Sequence, residues 1–94
     1  MINEKTAGEL NTRLHKIAGQ LGGLERMIEA GRYCVEVLDQ VAAVQAALGG
    51  VGKVLLRNHI ETCVSQALSG RDQNERRQKI DELVKIYSRF CNGR

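Results

Sequence analysis

The chain has 94 residues, 43% of them hydrophobic but only 3% aromatic, with a formal net charge of +3. That length allows one small domain spanning 1–94 and only a modest core, so self-association would help it. With no Trp, no Pro and a single Phe, the core must be built from Leu, Ile, Val and Ala, and no proline stops a helix.

Residues 4–30 are predicted to form an amphipathic helix. Leu10, Leu14, Ile17, Leu21, Leu24 and Ile28 recur at steps of four and three. Thr6 with Glu9 three residues on has the pattern of a capping box, and Gly31 is placed to end the helix. Arg13, Lys16, Glu25, Arg26 and Glu29 fall on the opposite face.

Residues 33–69 are predicted as a long helix with Val35, Leu38, Val41, Val44, Leu48, Val51 and Leu55 along one face, continued by His59 and Cys63. Its middle, Ala42 to Gly52, is made mostly of small residues. Gly49, Gly50 and Gly52 could break it into a hairpin, or the helix could run through and let a partner helix cross closely there. Ser69 to Asp72 is a loop, and residues 73–91 form a third helix with a stripe of Ile80, Leu83, Val84, Tyr87, Phe90 and Cys91. The middle of the chain is nearly neutral, and residues 71–94 carry seven Lys/Arg against four Asp/Glu. The start, Met1-Ile-Asn-Glu-Lys, has no apolar leader, and no uninterrupted apolar run nears a membrane span. A cytoplasmic protein without membrane attachment is expected.

In a reducing cytosol the three cysteines point to metal or redox chemistry, or to inert packing, before a disulfide framework. His59 and Cys63 are four apart, which stacks an imidazole and a thiol one turn above each other. Cys34 completes a Cys-x24-His-x3-Cys set. On one unbroken helix, Cys34 and Cys63 are about 43 Å apart at 1.5 Å per residue, so they can meet only between two antiparallel chains. The twofold axis would pass near Ala47–Leu48, where the side chains are small. A hairpin near Gly50 would instead set Cys63 opposite a residue near Val37. Two thiolates and an imidazole form a soft, three-coordinate set suited to Cu(I); zinc would need a fourth ligand.

Arg13-Leu-His-Lys-Ile-Ala-Gly-Gln20, Arg32-Tyr-Cys-Val-Glu-Val-Leu38, Gln45-Ala-Ala-Leu48, His59, Cys63 and Ile80-Asp-Glu-Leu83 together resemble the CsoR/RcnR/FrmR family of metal- and small-molecule-responsive transcriptional repressors. The resemblance covers nearly the whole chain. It implies an all-α fold of three helices with a long second helix, an antiparallel four-helix-bundle dimer core, and a dimer of dimers, so a homotetramer. It implies double-stranded operator DNA as the partner of the ligand-free form. Carried over, Cys34, His59 and Cys63 are similar to the metal set of the copper(I)-sensing branch, with Cu(I) as effector. Tyr33 and Glu82 match residues of that branch that couple metal binding to DNA release. Nickel/cobalt sensors of the family have a His, and formaldehyde sensors a Pro, where this chain has Ile2. Persulfide sensors keep both cysteines and generally lack the His.

No helix-turn-helix, zinc finger or base-stacking aromatic array is present, so DNA contact would rest on basic side chains. Arg13 and Lys16 are the first candidates, with Lys53 and Arg57 next, then Arg76, Arg77 and Lys79. Copper-branch members often carry a basic residue in the middle of the second helix, where this chain has Gly49–Gly50. The rival functions are a persulfide-sensing repressor using Cys34 and Cys63, and a helical metal-binding protein without a DNA role. No enzymatic activity is expected. There is no acid/base pair, and Gly49-Gly-Val-Gly52 lacks the strand and the Lys-Ser/Thr of a phosphate-binding loop.

Overall fold

The computed structural model describes residues 2–70 and 72–90, with the backbone alone at Cys63, Val64, Ala67, Leu68 and Phe90. Helix α1 spans Glu4–Glu29 and α2 spans Cys34–His59; a π turn at Ile60–Val64 leads into the short α3, Ser65–Ser69, and α4 spans Gln73–Phe90. No strand occurs among the described residues. Residues 59, 60 and 65 all keep right-handed helical dihedrals, so α2, the π turn and α3 form one continuous rod. The chain is therefore three helical rods, as expected. Cys91, expected at the end of the last apolar stripe, lies outside the described residues.

The start of α1 departs from expectation. Asn3, not Thr6, is the cap. Its backbone is extended and its side-chain oxygen accepts the Thr6 N–H at 2.8 Å, which satisfies one of the open donors of the first turn. Thr6 thus lies inside the helix, one turn after its start. Gly31 ends α1 as expected, with φ +68°. In that conformation the Gly31 N–H reaches Ile28 O at 3.1 Å and the Arg32 N–H reaches Met27 O at 3.0 Å, a Schellman closure. Asp72 caps α4 by accepting the N–H groups of Asn74 and Glu75.

Helix α2 runs through Gly49, Gly50 and Gly52 without a break, so the hairpin alternative does not occur. No proline interrupts the ladder, and the apolar contacts on either side of the glycines hold the helix against their weak propensity. The π turn was not foreseen. Its i→i−5 bond joins the Ser65 N–H to Ile60 O, and the Ser65 hydroxyl donates to the same carbonyl at 3.0 Å. The Thr62 hydroxyl donates to Asn58 O at 2.8 Å.

Helices α1 and α2 lie antiparallel. Asn3 Nδ2 donates to Asn58 Oδ1 at 3.2 Å, and Gln40 Nε2 donates to Gln20 O at 3.2 Å. Leu10, Ile17, Val44 and Leu56 are the buried hydrophobic residues of the described chain. Leu14 and Leu21, which share a stripe with Leu10 in the sequence, remain 44% and 47% exposed. The extents are 59 × 27 × 12 Å, and 12 Å is one helix thick. A single chain is thus one layer thick and leaves apolar side chains uncovered. The rod from Cys34 to Thr62 is long and apolar enough to cross a membrane by length and composition. Lys53 and Arg57 interrupt any apolar run, which is why the run lengths missed it; Ala, Val and Leu keep the mean hydropathy high.

Replacing Gly31 with Ala should lower stability by about 1–2 kcal/mol, because a Cβ is disfavoured at positive φ. Gly19→Ala, in a helix with open space around it, should raise it by up to about 1 kcal/mol. Urea unfolding followed by circular dichroism would measure both.

Candidate metal centre and basic face

Cys34 is the first residue of α2 and follows Tyr33, whose backbone caps the helix without a side-chain bond. At the entry to the helix Arg32 pairs with Glu36 at 2.8 Å. Cys34 is an exposed free thiol, and Tyr33 beside it is 70% exposed. His59 is the last residue of α2 and is half-buried. It opens onto a cavity of about 400 Å³ lined also by Gly52, Leu55, Leu56, Glu82 and Ile86. Gly52 brings the backbone of α2 to the wall of this cavity. Glu82 thus shares a cavity with His59, although among the described residues no hydrogen bond joins them; its carboxylate lies 3.6 Å from Lys79 Nζ.

Within one chain the expected ligand set is not assembled. Cys34 and His59 stand at opposite ends of α2, about 38 Å apart at 1.5 Å per residue. Among the described residues no three His, Cys, Asp or Glu side chains converge. The backbone of Cys63 lies in the π turn, next to the end of α2; its side chain lies outside the description. The residues fit a shared soft-metal site in two respects. The thiol at one end of the rod is open, and the imidazole at the other end faces a cavity instead of being satisfied in a core. Tyr33 belongs to the thiol end and Glu82 to the imidazole end.

The two long helices present contrasting faces. On α2, Leu48, Leu55 and His59 lie to one side of the line that meets α1, whereas Gly50, Lys53 and Arg57 follow each other at steps of three and four on the other side. On α1, Leu14 and Leu21 flank the buried Leu10–Ile17 line on one side and Lys16 flanks it on the other. Because α1 and α2 run antiparallel, the two apolar flanks coincide on one side of the slab and the basic flanks on the other. Arg13 is not on the outer face that periodicity assigned it. Its Nη1 lies 2.9 Å from where a Cβ on Gly50 would stand, and its Nε lies 3.4 Å from Glu9 Oε2. Arg13, Lys16, Glu9, Thr12, Ile17, Gln20 and Ala47 line one crease of about 450 Å³ along the α1–α2 junction. Lys53 and Arg57 are exposed on the same side. Sequence reasoning missed the Asn3–Asn58 tether and the Arg13–Gly50 contact, since both join residues far apart in the chain.

The family model described as metal-sensitive transcriptional repressor matches residues 6–89. The chain is 38% identical over 95 residues to the copper-sensing transcriptional repressor CsoR of Bacillus subtilis, covering 98% of this chain and 91% of that one. It is 44% identical over 84 residues to the CsoR of Mycobacterium ulcerans, covering 88% and 68%. Among solved structures it is similar to Cu(I)-bound CsoR from Geobacillus thermodenitrificans, with a TM-score of 0.77, 34% identity, and coverage of 94% of this chain and 88% of that one. It is also similar to the nickel-responsive transcriptional regulator InrS, with a TM-score of 0.71, 35% identity, and coverage of 88% and 90%. The same helical frame thus serves regulators of two different metals.

Proposed function

The chain belongs to the metal-sensitive transcriptional repressor family, and on that premise we propose that Cu(I), held between two antiparallel copies, lowers their affinity for operator DNA. It is a transcriptional repressor of the copper-sensing kind and not an enzyme. The observation that carries the proposed site is the unbroken α2. It puts a free thiol at one end and a cavity-facing imidazole at the other, with an uncovered apolar face between them.

A second copy laid head to tail covers that face and joins the ends. Leu14, Leu21, Leu48 and Leu55 would meet their counterparts, each contributing about 1.5–3 kcal/mol when fully buried. Cys34 of one protomer would then lie level with His59 and Cys63 of the other, giving two equivalent sites per dimer. Two thiolates and one imidazole match the softness and low coordination of Cu(I). The metal supplies a cross-link between protomers; everything else is done by the chain. Glu82, sharing the cavity of His59, is placed to orient the imidazole, and Tyr33 to contact the same centre from the thiol side.

Ile80, Val84 and Tyr87 on α4 stay exposed, at 45%, 63% and 56%, and offer the surface on which two dimers would pair into a tetramer. The basic side, with Arg13, Lys16, Lys53 and Arg57, is the proposed DNA-contact face. The whole chain acts as one domain in the cytoplasm, where operator DNA is accessible. The apolar rod is then covered by protein instead of lipid, and no membrane attachment is proposed.

Two experiments test this. A fluorescein-labelled duplex enriched from a random pool with the wild-type protein serves as DNA probe. One equivalent of Cu(I) per chain under anaerobic conditions should weaken binding at least fivefold by anisotropy, a coupling of about 1 kcal/mol or more. Cys34→Ser and His59→Ala should abolish that response while leaving apo binding in place. A response to persulfide that survives His59→Ala, with a Cys34–Cys63 cross-link in the mass spectrum, would replace copper with sulfur as the effector. Leu48→Glu, at the centre of the apolar face, should raise the dimer dissociation constant at least about 100-fold. Sedimentation at fixed concentration reads that shift, and an unchanged mass would defeat the dimer.

A further inference from the structure

We propose that Gly50 is a positioning residue for DNA contact: its missing side chain lets Arg13 lay its guanidinium across α2, next to Lys53 and Arg57. The inference deepens the proposed DNA-contact face and rests on that reading.

Three observations carry it. An added Cβ at Gly50 would stand 2.9 Å from Arg13 Nη1, whereas nothing lies within 4 Å of the corresponding position at Gly49 or Gly19. The two neighbouring glycines of α2 are therefore not equivalent; only Gly50 lies beneath a side chain from α1. The same guanidinium also makes an exposed contact with the preceding turn of α1, its Nε 3.4 Å from Glu9 Oε2. A carboxylate one turn back on α1 and an open place on α2 together direct a long side chain that would otherwise sample solvent. The direction matters, because Gly50, Lys53 and Arg57 share one face of α2 by their spacing. Arg13 adds a third positive charge to that face from the neighbouring helix, and Lys16 lines the crease beside it. The result is a basic track crossing both helices, of the kind that meets a phosphate backbone.

The atom that an added Cβ would displace is the far end of a flexible side chain. Substitution should therefore move Arg13 without disturbing the fold. Gly50→Ala should keep or raise the thermal midpoint, since Ala is the better helix residue, and should weaken duplex binding. Gly50→Leu, which fills the place further, should weaken it more, approaching the loss of about tenfold expected of Arg13→Ala. Both should reduce the salt dependence of binding in the manner of Arg13→Ala.

The decisive measurement is a double-mutant cycle on the enriched duplex. In an Arg13→Ala background, Gly50→Leu should have no further effect on affinity. Gly19→Ala should bind as wild type. Copper affinity should be unchanged in every variant, which separates positioning from general damage. Equal losses from Gly50→Leu with and without Arg13, or no loss with Arg13 present, would overturn the proposal. The NMR signal of the Arg13 Nε–H gives a readout independent of DNA. It should move in Gly50→Ala and stay in place in Gly19→Ala. If the wild-type protein enriches no duplex, the DNA reading itself fails, while an Arg13 signal unmoved in Gly50→Ala defeats the seat alone.

Discussion

The straightness of α2 governs this molecule. A helix rises 1.5 Å per residue, so a rod unbroken from Cys34 to His59 sets the thiol and the imidazole about 38 Å apart whatever the side chains prefer. No adjustment within one chain brings them together. Chemistry that needs both must take one from each of two chains, and the antiparallel arrangement that does so also covers the face a single layer leaves open. A metal site built from both residues and a subunit interface would in this sense be consequences of one length.

Most of that frame could be read from the sequence. The leucine spacing of α1, Gly31 at its end, and the continuation of one face of α2 into His59 all follow from helical periodicity, a local property. What periodicity left open was whether Gly49 and Gly50 break the rod. Two adjacent glycines weaken a helix without forbidding it, and contacts with residues far away in the chain decide the outcome. The Asn3–Asn58 bond and the seating of Arg13 on Gly50 are such contacts. The choice of Asn3 over Thr6 as cap turned on where the helix starts, which side-chain spacing fixes only to within a turn. The candidate ligands were legible as a set because their types and spacing are informative. Helical rise also led from the sequence to two antiparallel chains as the place where they could meet, and one chain alone does not bring them together.

The division of the slab into two faces explains why its sequence looks mildly basic and strongly apolar at once. Leu14, Leu21, Leu48 and Leu55 lie on one side, and Lys16, Lys53 and Arg57 on the other. Arg13 is the exception that joins them, since it starts near the contact line of α1 and ends on the basic side. A residue placed by a wheel diagram goes where its Cβ points. A long side chain goes where its neighbours leave room, and on α2 the room is at Gly50.

The position of His59 makes a direct coupling available between the two faces. His59 and Arg57 are two residues apart, about 3 Å along the axis and on nearly opposite sides of the same helix. They ride on one rigid element, so a displacement of α2 that brings the imidazole towards a partner's thiol must also carry the basic stripe with it. Such a coupling would need no relay of side chains, and it would be mutual, with DNA opposing the metal as strongly as the metal opposes DNA. Cys63 stands differently. It lies beyond His59 in the π turn, where the backbone bonds run from i to i−5 instead of i−4. If both act as ligands, the imidazole is the one carried by the same α-helical segment as Lys53 and Arg57, and the second thiol lies beyond it.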